Sequence, residues 1–263
     1  MNVSRRDVVL PAGKHRLPSL THPSEHASYV RARRPEADLT RAAGVVLLYQ
    51  SSIAKIAARR CGTRPLDRWV SADLHLTVDN VVLCSGFGRG APAAGLIVEQ
   101  LVALGARAVI TIGTAAALVE DLVPGNLVIC REALRGEGLS HHYLAPGRYS
   151  APDTGLTALL THEVGGLEST VRSGRAWTTD ALYRESAAEV QAFTAEGVVC
   201  VEMEAAGVLA VARYRRVPAA GAFVIADSLV QRTPRCDSPE VVEGLRVLLD
   251  AAVRALCGRV VVR

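Results

Sequence analysis

Aromatic side chains are scarce in this 263-residue chain, at 4% of positions. A core built on stacked rings is excluded, so the 49% of residues that are hydrophobic must pack mainly through aliphatic contacts. Cysteine is sparse and scattered. The thiols at 61, 84, 130, 200, 236 and 257 include no CxxC pair and no zinc-like spacing. Cys84 and Cys200 lie in apolar runs, where a thiol serves as a small core side chain. No apolar run approaches the ~18 residues of a membrane span, and no basic-then-apolar leader opens the chain. Charge of one sign is not concentrated either. The formal net charge is +4, and "RARRP" (31–35) lacks the interleaved aromatics of a nucleic-acid surface, so it reads as a solvated arm. These absences predict a soluble, reduced, cytoplasmic protein with neither nucleic acid nor membrane as partner.

What is present is alternation. Residues 1–43 are polar, rich in Pro, His and Arg, and read as an N-terminal arm or irregular cap. Residues 44–263 read as one domain. Apolar strands are predicted in "GVVLLYQ" (44–50), "VVLCSGFG" (81–88), "AVITIGTAAAL" (108–118), "GNLVICREAL" (125–134), "VRSGRAWTTDALY" (171–183) and "AGAFVIADSL" (220–229). "APAAGLIVEQLVALGA" (91–106) reads as a helix, with Pro92 in its first turn and Gly105 at its end. "GVVCVEMEAAGVLAVARY" (197–214) reads as strand then helix, and "SPEVVEGLRVLLDAAVRAL" (238–256) as a last helix with a Ser cap. Continuous apolar strands alternating with helices imply an α/β fold whose mostly parallel or mixed twisted sheet is flanked by helices. Ligands on such sheets gather beyond the carboxyl ends of the strands. Here those ends are 86–90, 113–116, 178–183, 202–204 and 227–228.

Two of these ends carry acids where a buried run stops. Glu202 and Glu204 flank Met203 at the seam between strand and helix. One reading is structural: a carboxylate at a helix start accepts backbone N–H groups. The other is a grip on vicinal hydroxyls, because a carboxylate is acceptor-only and takes two O–H donors. Asp227 ends "AFVIAD" and either caps a turn or carries a proton, since partial burial raises a carboxyl pKa. The glycine stretch "SGFGRG" (85–90) departs from GxGxxG, and no acid follows at the spacing of a dinucleotide fingerprint, so a nicotinamide enzyme is disfavoured.

Taken in order, "SGFGRGAPAAGLIVEQLVALGARAVITIGTAAAL", "LSHHYLAPG" (139–147) and "VCVEMEAAGVLAVA" resemble the nucleoside phosphorylase and nucleosidase family, over roughly residues 44–256. That family includes purine nucleoside phosphorylase, uridine phosphorylase and methylthioadenosine nucleosidase. The resemblance implies a partly barrel-like sheet and cleavage of the N-glycosidic bond of a purine or purine-like nucleoside. It assigns the ribose hydroxyls to Glu204, sugar packing to Met203, a supporting role to Glu202 and a hydroxyl contact to Thr114. Asp227 falls where purine-specific members protonate or hydrogen-bond N7 of the leaving base, with Leu182, Tyr183, Ala115, Ala116 and Ser228 around the base. Uridine-type members read uracil with an arginine, and with a glutamine and arginine, at positions that match Ser228, Ser186 and Ala188 here, so the resemblance implies that this readout is lost. The nucleophile or phosphate side falls on Gly86, Gly88, Arg89, Thr111 and Thr114.

Departures from the family lie on that last side. Phosphorylases carry an arginine where this chain has Thr111, and another in a PGDPxR-type turn where it has Ala54, with Gln50, Ser51 and Lys55 nearby. Threonine cannot replace the paired hydrogen bonds of a guanidinium. Arg89, Arg64 or Arg68 are possible substitutes. Hydrolysis is therefore slightly favoured over phosphorolysis, although no early glutamate that activates water is found. The alternatives are a purine nucleoside phosphorylase with a rebuilt phosphate site and a non-catalytic nucleoside-binding protein. His141 and His142 either bind substrate or order their loop, and His22 and His26 are candidates to reach a neighbour's ribose. No metal or organic cofactor is expected, phosphate is possible as co-substrate, and a homo-oligomer (dimer or hexamer) is implied.

Overall fold

The strands are buried where their letters are continuously apolar, and that burial sets the architecture. The computed structural model describes residues 10–60, 62–165, 171–232, 234–235 and 238–261. Cys61, Cys236 and residues 1–9 of the expected arm lie outside them. Strands β1 (Gly44–Leu48) and β4 (Val81–Ser85) are buried at every position, as strands with both faces covered must be. Between them come helix α2 (Ser51–Arg60) and the short strands β2 (Arg64–Pro65) and β3 (Asp73–Leu76). Helix α3 (Ala91–Ala103) leads to β5 (Val109–Ala117) and β6 (Leu127–Gly136). After α4 (Ser140–Tyr143), β7 (Tyr149–Ser150) and α5 (Thr154–Gly165), the chain forms β8 (Val171–Thr179), α6 (Ala187–Thr194) and β9 (Val198–Glu202). It ends with α7 (Ala205–Tyr214), β10 (Ala219–Ser228) and α8 (Pro239–Val261).

The sheet order is β10-β6-β8-β9-β5-β1-β4-β3-β2, and β10 also pairs with β5. That extra pairing closes β5, β10, β6, β8 and β9 into a five-stranded barrel, from which the other strands extend as an open wing. The sheet is mixed: β10 runs parallel to β5 and antiparallel to β6, and β9 runs antiparallel to β5. On one face Val45, Leu47, Ile97, Leu101, Val208 and Val211 pack under α3 and α7. On the other, Val46, Leu48, Ile110 and Ile112 meet Leu156 and Leu160 of α5 and Leu245 and Leu248 of α8.

Within the stretch expected to be an arm or irregular cap there is a helix, α1 (Pro23–Arg31). His22 Nδ1 accepts from the Ser24 N–H, and Glu25 reaches back to the His22 N–H, closing a capping box. Only Ala27 and Val30 are buried along it, too few apolar residues for the helical period to stand out in the sequence. Both join the core beneath α3. Cys84 and Cys200 are buried and unbridged. Among the described residues no helix is long and apolar enough to cross a membrane.

Candidate active site

The seam between β9 and α7 gives its two glutamates different tasks. Glu202, the last residue of β9, turns its side chain onto the start of α7: Oε2 accepts from the N–H groups of Glu204 at 2.7 Å and Ala205 at 2.8 Å. Its Oε1 takes the hydroxyl of Thr178 on β8, and the same hydroxyl accepts from the Ala206 N–H. Glu202 is thus spent on orphan donors of the helix start. Glu204 occupies the N-cap position, but its side chain makes no capping bond. It crosses to the glycine turn, where Oε1 accepts from the Gly90 N–H at 2.7 Å. Burial, and for Glu202 also the charge of Glu204, raises both carboxyls above their ordinary value. The Gly90 N–H and the Arg89 guanidinium pull Glu204 the other way.

The turn that meets Glu204 needs its glycines. Gly86, Gly88 and Gly90 have φ of 75°, 96° and 90°, in the region side chains disfavour. A Cβ on Gly86 would also lie 2.7 Å from Asp73 Oδ2. The turn brings Phe87 edge-on to Tyr49, with ring centroids 5.3 Å apart. Tyr49 OH lies 2.8 Å from Thr111 Oγ1, and Gln50 Nε2 donates to Thr114 Oγ1 at 3.0 Å. Burial and the charges of Glu204 and Glu202 push the Tyr49 phenol well up, so it keeps its proton at neutral pH. Where the family resemblance looks for a phosphate-gripping arginine, this chain sets a tyrosine–threonine hydroxyl pair.

Asp227 stands across β5 from this cluster. The pairing of β10 with β5 slips by one residue at Ala226, so that Asp227 stands opposite Ala116. A bulge of this kind re-aims a side chain. Ala116 is also the partner of Val201 on β9. At a strand spacing of about 4.8 Å, Asp227 and Val201 are about 10 Å apart, one neighbour on each side of Ala116. Asp227 and the 202–204 seam therefore stand level with each other on either side of β5, although β10 and β9 run in opposite directions there. Partial burial raises the Asp227 carboxyl, and Arg235 partly offsets this.

The remaining expected residues divide. Met203 and Thr114 are half-buried, Ala115 and Ala116 are buried, and Gly86, Gly88 and Arg89 face solvent. The Ser228 hydroxyl accepts from the Gln231 N–H. Leu182 and Tyr183, expected around the base, are 45% and 95% exposed in the single chain. Arg64 lies on β2, the outermost strand of the wing. His22 and His26 are engaged within the chain, by Arg215 and by the Trp69 carbonyl. His141 lies 3.4 Å from Arg135, which also binds Ser140 and the carbonyls of Ala145 and Gly147, so this histidine sits in an ordered loop. Sequence reading gave no role to Tyr49 or Thr178. Each of these has a role only through a partner distant in the chain.

A family model described as the phosphorylase superfamily matches residues 74–257. A guanosine phosphorylase of Halorubrum lacusprofundi is 31% identical over 154 residues, 57% of this chain; the chain spans only 62% of that relative's length. A purine nucleoside phosphorylase of Toxoplasma gondii, solved with immucillin-H, superposes with a TM-score of 0.75 at 18% identity, over 84% of this chain and 92% of that one. An AMP nucleosidase of Bacteroides thetaiotaomicron superposes with a TM-score of 0.69 at 20% identity, over 86% of this chain and 95% of that one.

Proposed function

The chain belongs to the phosphorylase superfamily, and on that premise we propose that it cleaves the N-glycosidic bond of a purine nucleoside, with water as the nucleophile. The observation that carries the reading is the pair of acids around Ala116. Glu204 is anchored by one oxygen to Gly90 and offers the other to the ribose hydroxyls. Asp227, partly buried and raised, supplies a proton to N7. The C1′–N9 bond breaks with its electron pair passing to the base, N7 takes the proton, and the water oxygen bonds to C1′ while its proton leaves to solvent. A purine anion is a poor leaving group, and neutralising its developing charge is what the acid contributes. Glu204 holds the sugar as it acquires oxocarbenium character, so its bonds strengthen in the transition state.

Water is preferred because Thr111, bonded to Tyr49, provides hydroxyls and no positive charge where a phosphate dianion would have to bind. A second reading, phosphorolysis, is favoured by Arg89, which lies close enough to Glu204 to lower its pKa, and by the phosphorylase named among the relatives. Base release from guanosine, inosine and adenosine, measured with and without phosphate, separates the two. Equal rates in both buffers are expected; strict phosphate dependence refutes hydrolysis. The reading requires no metal or organic cofactor, and it includes assembly as a homo-oligomer, which light scattering tests.

A further inference from the structure

We propose that Tyr49 selects the nucleophile: its ring fills the space between the 86–90 turn and Gly113 of β5, leaving room for water and none for phosphate, and its hydroxyl with that of Thr111 holds the water. This role rests on the reading of the site as one that hydrolyses a nucleoside, and it names the residue that decides in favour of water.

Tyr49 follows directly on β1, which lies between β4 and β5 and runs parallel to both. Leu47 pairs with Cys84 and Leu48 with Ile112. Tyr49 therefore leaves the sheet level with Gly113 on one side and with the start of the glycine turn on the other. Its ring closes the interval between them. Phe87 of the turn meets it edge-on, with centroids 5.3 Å apart. On the β5 side a Cβ added to Gly113 would stand 3.2 Å from Tyr49 Cδ2, closer than ordinary contact, so not even a methyl group has slack there. At the tip of the ring the hydroxyl lies 2.8 Å from Thr111 Oγ1, on a residue that is fully buried. The segments to which the family resemblance assigns the nucleophile side are thus the walls of a space that an aromatic ring occupies.

What remains beside the ring suits water. Two hydroxyls bonded to each other use one of their two protons. Whichever of Tyr49 and Thr111 donates, one O–H is left for a third group, and a water accepts it with one lone pair while the other points to C1′. Burial first, and then the charge of Glu204, raise the phenol well above its ordinary value. It stays protonated, and it orients the water without acting as its base. The water oxygen bonds to C1′ as the C1′–N9 electron pair passes to the base, and the water proton leaves to solvent. A phosphate dianion at the same place would meet the ring and the negative charge of Glu204, with hydroxyls but no guanidinium to hold it. The Gln50 amide next to the ring is turned onto Thr114 Oγ1.

The test compares wild type, Tyr49→Phe and Tyr49→Ala in the full chain, with thermal denaturation reporting whether each is folded. Base release from guanosine, inosine and adenosine is followed with and without phosphate, and the sugar formed in aqueous methanol is separated into ribose and methyl riboside. Wild type is expected to ignore phosphate and to form almost no methyl riboside, because methanol is larger than the space beside the ring. Tyr49→Phe keeps the ring and loses the hydroxyl. Its kcat should fall by about twofold to tenfold, the contribution of a neutral hydrogen bond, with KM and the proportion of methyl riboside unchanged. Tyr49→Ala opens the space. Methyl riboside should rise at least about tenfold relative to ribose, the lower limit for one methylene in a closed pocket, and phosphate should now form ribose 1-phosphate or slow base release. If Tyr49→Ala does not fold, Tyr49→Phe alone decides. A Tyr49→Phe that keeps wild-type kcat, or a folded Tyr49→Ala with the wild-type products and no response to phosphate, overturns the role given to Tyr49, while hydrolysis by the wild type stands. Strict phosphate dependence of the wild type, or no base release from it, overturns both.

Discussion

Replacing Glu204 by Gln tests the sugar grip with almost no change of shape. In the structure one carboxylate oxygen takes the Gly90 N–H at 2.7 Å, and the side chain is 9% exposed. Glutamine keeps one acceptor and exchanges the other for a donor. If its oxygen stays on Gly90, its amide nitrogen faces the sugar, and a charge-assisted bond becomes a neutral one with the roles reversed. Hydrogen bonds to charged groups contribute about 1.5–3 kcal/mol, and about 1.4 kcal/mol is a factor of ten in rate. A loss of about tenfold to 150-fold in kcat/KM is expected for ribonucleosides. The loss should be smaller for 2′-deoxyribonucleosides, which lack one of the two hydroxyls, so the ribo-to-deoxy preference of the wild type should shrink. Base release from matched ribo and deoxy substrates reads both quantities, with thermal denaturation confirming that the variant is folded. A folded variant that keeps wild-type kcat/KM, or that loses activity equally on both sugars, refutes the hydroxyl grip.

Asp227→Ala should lower kcat/KM for base release by about 100-fold to 10,000-fold, the usual contribution of a general acid, and lower it least for bases that leave easily unprotonated. An equal loss across leaving groups would remove the proton-transfer role. Thr178→Val keeps the volume but strips Glu202 of a donor and the Ala206 N–H of an acceptor, for a loss of about 2–6 kcal/mol of stability at about 1–3 kcal/mol per buried unpaired group. Urea unfolding checks this, and Thr178→Ser should recover most of it. Stability should also fall as pH rises above the ordinary carboxylate pKa. Glu202 and Glu204 have folded pKa values above the ordinary 4.5, so the folded state holds more protons than the unfolded one across that window, and ionising them costs folded-state free energy. Asp38, Glu196 and Glu240 are lowered, and they finish titrating below it. Urea midpoints that stay flat or rise from about pH 5 to pH 8 would contradict the burial of the pair, and Glu202→Gln should flatten the slope.

The parts of the fold that were legible in the sequence are those whose physics is local. A run such as "VVLCSGFG" states its burial in its side chains and its turn in its glycines, and β4 with the 86–90 turn follows. Helix α1 was not legible because two buried residues in nine make no period; its signal was the cap, His22 with Pro23 and Glu25. The barrel was expected from the family resemblance and not from the strands themselves: the β10–β5 pairing joins segments about a hundred residues apart, and nothing in either segment names its partner. The same division runs through the site. Acids at strand ends were visible, and so was the absence of a guanidinium at Thr111. The division of labour between Glu202 and Glu204 was implied by the resemblance alone, because its physical cause depends on which N–H groups lie within reach after folding. The helix start claims Glu202 through the Glu204 and Ala205 N–H groups and Thr178, and this frees Glu204 from capping to cross to Gly90. Of the two readings of an acid at a strand–helix seam, the structural one thus describes Glu202, and the proposed function gives the ligand-gripping one to Glu204. A chain that placed a single acid at this seam would have to choose between holding its helix and holding a sugar.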